Sequence, residues 1–338
     1  MNNISLMIDA TSPPKSWSEF CAKCGPYGIA LDGFVADSSC RDLAIPAANF
    51  NHHENCDRLA TRATSAQVLL AIRLGLFDCF RQDGVPTARV WVNDCDEDVC
   101  LSFFLLDHAP LAQQVLNPKL NRLVGVAEIL DATAGMMPIS FDLPIIRQLT
   151  WIFSPYREFR MNGGLDRRDA GEFGLVINEV CRRIEDHLFR DGKEQAPAIK
   201  YTRLGGGQGW AMIREEEPQG RQGALADGIR AFVSVRERKD GAWAYSIGRS
   251  SDHINFSVPF FLNLFNQVEA SLRGVQPDEL VHRWGGGSTI GGSPRVPGSL
   301  IDPSRLERII NLVIDSYRLR NWPVASEAEV SYIIDNSM

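Results

Sequence analysis

Residues 86–92 (PTARVWV) are β-branched and aromatic, follow an Asp83-Gly84 turn, and run directly into NDCDED at 93–98 and the apolar run 99–106. A strand signal of this kind, joined through three near-adjacent aspartates to an apolar helix, leaves the chain few ways to fold. The carboxylates belong at the carboxyl end of a strand, the edge of an open α/β sheet at which ligands bind. Flanking segments extend the pattern. Residues 28–36 read as a short strand broken by Asp32, and a second apolar stretch, 43–50, leads into Asn51, His52, His53 and Glu54. Residues 61–80 are apolar nearly all round, as expected of a helix packed on a sheet, with Thr64 or Ser65 as its cap. Residues 123–130 repeat the strand-then-acid logic more weakly, ending in Asp131 and Gly135. Alternation of this sort predicts a largely parallel sheet covered on both faces.

Beyond residue 144 the pattern is helical to about 189, interrupted by a polar loop at 161–174. DGK at 191–193 and GGG at 205–207 then read as linkers. Strand-length runs follow at 210–214, 231–236 and 243–247, with helices expected at 223–230, 260–272 and 303–319. A chain of 338 residues is long for one core. The expectation is an α/β N-terminal domain over 1–191, a smaller α+β domain over 192–338, and an active-site cleft between them.

The formal net charge of −7 argues against a grip on long duplex DNA, which needs a broad basic face. A small phosphate-bearing or nucleotide ligand, or a short single-stranded oligonucleotide held by a few arginines and a metal, fits better. No apolar run approaches the roughly 20 residues of a membrane span. The first residues lack a basic segment followed by an apolar one, so the expected location is cytoplasmic. The eight cysteines then read as reduced thiols. Cys21 and Cys24 form a C-x-x-C, with Cys40 and Cys56 downstream. A structural zinc on these four is the lesser reading, and unligated thiols near a Gly25-Pro26 turn the favoured one.

Three constellations carry chemistry. Asp94, Asp96 and Asp98 occupy alternate positions, so two carboxylates can point the same way in extended backbone and suit a hard cation such as Mn²⁺ or Mg²⁺. An EF-hand is excluded, because Val99 and Leu105 stand where that loop needs Gly and Glu. A solvated loop capping the next helix is the alternative. His52 and His53 are adjacent in a chain with six histidines. One imidazole is a candidate ligand and the other a general acid, against the plainer reading of a surface pair. Finally, RWGGGSTIGGSPR at 283–295 has the glycines to bring backbone N–H groups close to an anion. Gly285, Gly286, Gly287, Ser288 and Thr289 form the expected cradle, with Arg295 beside it. No Gly-Lys-Ser/Thr ends it, so it is not a Walker A loop; a flexible linker is the alternative. Arg249, closing a strand, is suited to phosphate or to a solvated strand end.

Taken in order, these segments resemble the DHH phosphoesterase family with its DHH-associated C-terminal domain. Phe50 to Glu54 (FNHHE) followed by ATSAQV at 63–68 is similar to the D-H-H signature and the helix start after it. GRSS at 248–251 and the 283–295 loop are similar to the R-S segment and the G-G-G-H-x-x-A-G loop. The resemblance spans roughly residues 28–320 in short motifs. It implies an Mn²⁺- or Mg²⁺-dependent hydrolase of phosphodiesters or phosphoanhydrides. His52 would be a metal ligand and His53 a substrate-phosphate contact. Asp32, Asp94, Asp96, Asp98 and Asp131 are candidate aspartate ligands, and Arg249, Gly285, Gly286, Gly287 and Arg295 would hold the ligand. Asn51 stands where the family has Asp, and Ser288 where it has His. The acidic cluster follows the histidines rather than preceding them. Either Asp32 marks a degenerate first motif, or the site is rebuilt. A phosphohydrolase is therefore the leading expectation. A nucleotide-binding sensor or scaffold without turnover is the second, and a zinc-stabilised interaction module the third.

Overall fold

A computed structural model describes residues 3–317. By contacts the chain divides into two compact units, one comprising residues 1–132 and 139–197, the other 133–138 and 198–338. Both are mixed α/β. Among the described residues, no helix is long and apolar enough to cross a membrane.

In the first unit the order is β1 (Asn3–Ile8), α1 (Trp17–Cys24), β2 (Gly28–Leu31), β3 (Cys40–Asp42), β4 (Ala47–Phe50), α2 (Thr64–Arg73), α3 (Leu76–Cys79), β5 (Arg81–Gln82) and β6 (Val85–Val92). Six helices follow: α4 (Glu97–Asp107), α5 (Ala109–Ala112), α6 (Pro118–Ala132), α7 (Pro144–Met161), α8 (Gly164–Arg167) and α9 (Ala170–Arg190). The sheet order is β1-β6-β2-β4-β3, with β5 hairpinned onto β6. The pairs β1–β6, β6–β2 and β2–β4 are parallel, whereas β3 and β5 pair antiparallel. Helix α4 explains why 99–106 is apolar without a polar face. Val99, Leu101, Phe104, Leu105 and Leu106 are all 0% exposed, which places the helix inside the core. Helix α9 instead shows a single apolar stripe, with Phe173, Val176, Ile177, Val180 and Ile184 buried at three- and four-residue spacing.

Two expectations fail here for local reasons. Residues 123–130 lie within α6 and form no strand. Asn117 accepts the Leu120 N–H at 3.0 Å, Pro118 takes the first helical position, and Leu120, Leu123 and Val124 bury one face. The helix expected over 61–80 breaks at Gly75, whose φ of 102° ends α2 and starts α3. Its expected caps are also wrong. Ala63 is the N-cap position and supplies no side-chain bond; a carboxylate from elsewhere in the chain does that work, as described below.

The second unit runs β7 (Tyr201–Gly207), β8 (Trp210–Glu215), α10 (Gly220–Ala226), β9 (Ala231–Glu237), β10 (Trp243–Arg249), α11 (Val258–Arg273), β11 (Gly285–Gly286), β12 (Ile290–Gly292) and α12 (Pro303–Tyr317). The sheet order is β11-β12-β10-β9-β8-β7, with only β8–β9 parallel. Its core joins Val233, Ile247, Phe261, Phe265, Ile309 and Val313. Residues 205–207, read as a linker, form the end of β7 under α12. Glu307 accepts the Gly206 N–H at 2.7 Å, and a Cβ on Gly207 would lie 2.0 Å from Asn311 Oδ1. Glycine lets that helix approach the strand.

Candidate metal centre

Three chain segments leave the carboxyl ends of β2, β4 and β6, which are neighbours in the sheet. Asp32 follows β2, His52 and His53 follow β4, and Asp94 to Asp98 follow β6. Topology alone thus brings together residues up to 66 positions apart in sequence. Asp32 adopts φ 50° and its N–H bonds the Phe50 carbonyl at 2.9 Å, tying the β2 exit to the β4 exit. Asn51 fixes the histidines. Its amide donates to the carbonyls of Val35 (3.2 Å) and Asp37 (2.8 Å) and to Glu54, and its oxygen accepts the His53 N–H at 3.1 Å. An aspartate cannot donate, so an amide suits this position.

His52 is the hub. It is fully buried, and its Nε2 lies 2.9 Å from Asp131 Oδ2, 3.5 Å from Asp32 Oδ1 and 3.9 Å from Asp98 Oδ2. Neither ring nitrogen meets hydrogen-bond geometry. A buried imidazole surrounded by carboxylates yet hydrogen-bonded to none has the donor set and the unsatisfied valence of a metal ligand. Two trios of ligand atoms lie within 4.8 Å of one another: Asp32, His52 and His53, and His52, Asp98 and Asp131. His53 and Asp131 keep 28% and 26% side-chain exposure, while Asp32 and Asp98 have almost none, so the cluster opens to solvent over the first two.

Each aspartate is held differently. Asp32 Oδ1 accepts from Thr64 Oγ1 at 2.8 Å and lies 3.0 Å from His53 Nε2. Burial raises its pKa, but His53, His52 and the Thr64 hydroxyl outweigh this and hold it well below the usual carboxylate range. Asp98 accepts the first N–H groups of α2, from Thr64 at 2.6 Å and Ser65 at 2.9 Å, and so caps that helix from the neighbouring one. Burial and the charges of Asp131 and Asp32 nevertheless push it up to about 7. Asp131, in the last turn of α6, is desolvated yet lowered, because Arg58 and His52 stabilise its charge. His52 loses by burial but gains more from Asp131 and Asp32, and its pKa is raised.

The remaining candidates separate. Asp96 caps α4 through Val99 N at 2.9 Å; burial and the charges of Asp32, Asp94 and Asp131 raise it well above the usual range. Asp94 accepts from the N–H of Cys95 at 2.7 Å and belongs to neither ligand trio. In the second unit, the Arg249 guanidinium bonds the carbonyls of Ser288 (2.9 Å), Asp252 and Ile254 (each 3.2 Å) and the Asp252 carboxylate. Gly285 and Gly286 pair with Gly292 and Gly291 in a tight hairpin, and the Gly287 N–H bonds the Ile290 carbonyl at 2.8 Å. Ser288 Oγ donates to Asp252 at 3.3 Å, Thr289 is fully buried, and Arg295 is exposed with its carbonyl accepting from Arg238. Among the described residues no cysteine joins a metal-capable group. Cys24 donates to the Gly25 carbonyl at 3.2 Å, and burial pushes its thiol up to about 11.

Sequence reading missed Arg58, Thr64 and Ser65. Arg58 is 5% exposed, with Nη1 3.0 Å from His53 Nδ1 and Nη2 3.1 Å from the Asp131 carbonyl. No periodicity marks an isolated arginine in a loop. Thr64 and Ser65 were visible as helix-start residues, but their partners lie more than thirty positions away. No family model, curated protein or solved structure matches this chain, so the reading of the site rests on its own geometry.

Proposed function

We propose that the first unit carries a divalent-cation centre, and that the protein is an Mn²⁺- or Mg²⁺-dependent phosphohydrolase acting on a phosphodiester or phosphoanhydride of a nucleotide or short oligonucleotide. The observation that carries the reading is His52, buried without a hydrogen bond amid the carboxylates of Asp32, Asp98 and Asp131. Oxygen and imidazole donors together suit Mn²⁺ better than a thiolate-seeking ion. A cation held there polarises a phosphoryl oxygen and lowers the pKa of a bound water.

The chain's own residues supply the rest. His52, Asp98 and Asp131 would hold the ion, with Asp32 beside them. The hydrogen bonds of Thr64 and Ser65 fix Asp32 and Asp98 before any ligand arrives, so little reorganisation remains. His53 sits on the open side with its two ring nitrogens turned to Asp32 and Arg58, so it steadies Asp32 at the mouth of the site rather than meeting an anionic oxygen itself. Arg58 behind it keeps the ring oriented and adds positive charge. Resemblance to the DHH phosphoesterases supports the hydrolytic reaction, and the strand-end position of all three loops agrees with it.

A second reading, a nucleotide-binding sensor without turnover, draws support from Asn51 and from the second unit, where Arg249 and Ser288 bond their own loops. One experiment separates the two. The chain is stripped of metal, and Mn²⁺ or Mg²⁺ is added with dinucleotides, nucleoside phosphates and pyrophosphate. Metal-dependent product formation that His52→Ala abolishes supports hydrolysis; tight nucleotide binding without product after prolonged incubation supports the sensor.

A further inference from the structure

We infer that Arg58 is a built-in cation of this cluster, and that the centre therefore takes one divalent ion rather than two. The inference rests on the divalent-cation reading above. Its ground is the hydrogen-bond chemistry of His53. The Arg58 Nη1 lies 3.0 Å from His53 Nδ1, and a guanidinium only donates. It also does not deprotonate in a protein. Nδ1 is therefore the acceptor, and the ring proton sits on Nε2. That nitrogen lies 3.0 Å from Asp32 Oδ1, which accepts the proton. Both nitrogens of His53 are thus engaged, and neither lone pair is available to an ion.

The trio of Asp32, His52 and His53 is accordingly not a ligand set, although its atoms are close enough to be one. What remains is the set around His52, whose two ring nitrogens make no hydrogen bond. Arg58 closes the other half of the cluster physically as well. Its Nη2 lies 3.1 Å from the Asp131 carbonyl and 3.5 Å from Asp131 Oδ2, and the side chain is 5% exposed. A second dication on Asp131 and His53 would meet that buried guanidinium at short range, a like-charge contact that the low exposure of Arg58 leaves poorly screened. Arginine suits the role because its charge is permanent and its planar fork reaches both partners at once.

Counting ions tests this. The full-length chain is stripped with a chelator and titrated with Mn²⁺. Bound ion is measured by elemental analysis after gel filtration, and the spin state by low-temperature EPR. The expected result is one Mn²⁺ per chain with the six-line spectrum of an isolated ion, and the same count in Arg58→Lys. Arg58→Ala frees His53 Nδ1 and removes the like charge, so its count rises to two. In the metal-free chain, imidazole ¹H–¹⁵N spectra should report His53 as the Nε2–H tautomer, and Arg58→Ala should scramble that signal while leaving His187 unmoved. Two spin-coupled ions in the wild-type chain overturn the inference and leave the metal centre standing. No bound ion overturns both. A count of one in folded Arg58→Ala refutes the role of the guanidinium; if that variant does not fold, the wild-type count and the His53 tautomer decide.

Discussion

The histidine–aspartate cluster of the first unit and the glycine hairpin of the second were equally conspicuous in sequence, and they differ in what their polar groups have left to offer. In the hairpin, the guanidinium of Arg249 is occupied by its own loops, and Gly286 and Gly291 lie so close that a Cβ on the former would fall 2.3 Å from the latter. Those glycines are explained by packing. In the cluster, Asp32, Asp98 and Asp131 surround an imidazole that no hydrogen bond satisfies. Unsatisfied valence in a buried place, rather than a motif's appearance, marks a candidate site.

The sharpest way to break this contrast is His52→Ala. Removing the hub should weaken Mn²⁺ binding by more than about a hundredfold, a larger loss than is typical of an outer-sphere partner. Isothermal titration at pH 8 measures it, and an unchanged affinity would remove His52 from the centre. Gly286→Ala should do the reverse. Its φ of 150° and the close Gly291 backbone make a side chain costly, on the order of 2–3 kcal/mol. Thermal unfolding should record that loss, with Mn²⁺ affinity as in the wild type. A variant of full stability that no longer binds a nucleotide would return the hairpin to the list of ligand sites.

pH sharpens the comparison further. Asp98 is pushed up to about 7, so in the metal-free protein it holds a proton that an ion must displace. Mn²⁺ affinity should fall about tenfold between pH 8 and pH 6, as expected for one displaced proton. The stability effect has the opposite sense. A carboxyl whose folded pKa is raised contributes stability below its unfolded value, and that contribution is lost as pH rises through about 7. The metal-free chain should therefore lose stability from pH 6 to pH 8, while at saturating Mn²⁺ the tenfold gain in affinity offsets that loss and the contribution of Asp98 stays level. A pH-independent affinity would mean that Asp98 is no ligand.

Much of the cluster was legible because strand ends and acidic residues are local signals. Asp32, His52, His53 and Asp98 each lie within a few residues of a readable strand or helix start. Asp131 was identified for the wrong reason: its segment was read as a strand, whereas Asn117 and Pro118 start a helix there. Arg58 and the capping of α2 by Asp98 were not legible, since both depend on partners far along the chain. The hairpin was over-read, because glycines needed for close strand packing and glycines needed to approach an anion look alike in sequence. Residues 318 and 319 of the last expected helix lie outside the described residues.

The smallest effect isolates a single hydrogen bond. Thr64→Val keeps the shape of a fully buried side chain and removes the hydroxyl that Asp32 accepts at 2.8 Å. Asp32 retains His53, so the expected cost is about 1 kcal/mol. The sign with pH follows from the direction of the Asp32 shift. Its folded pKa is depressed, so the stability it confers is present above the usual carboxylate range and is lost as pH falls through the folded value. The valine variant weakens that depression. Both folded values lie well below the usual carboxylate range, so Asp32 stays ionised in either protein at pH 7 and at pH 4, and the deficit should be the same at both, as denaturant unfolding can record. A deficit that shrinks between pH 7 and pH 4 would mean that Asp32 already takes up a proton in that interval, and that the hydroxyl and the imidazoles hold its charge far less firmly than their contacts imply.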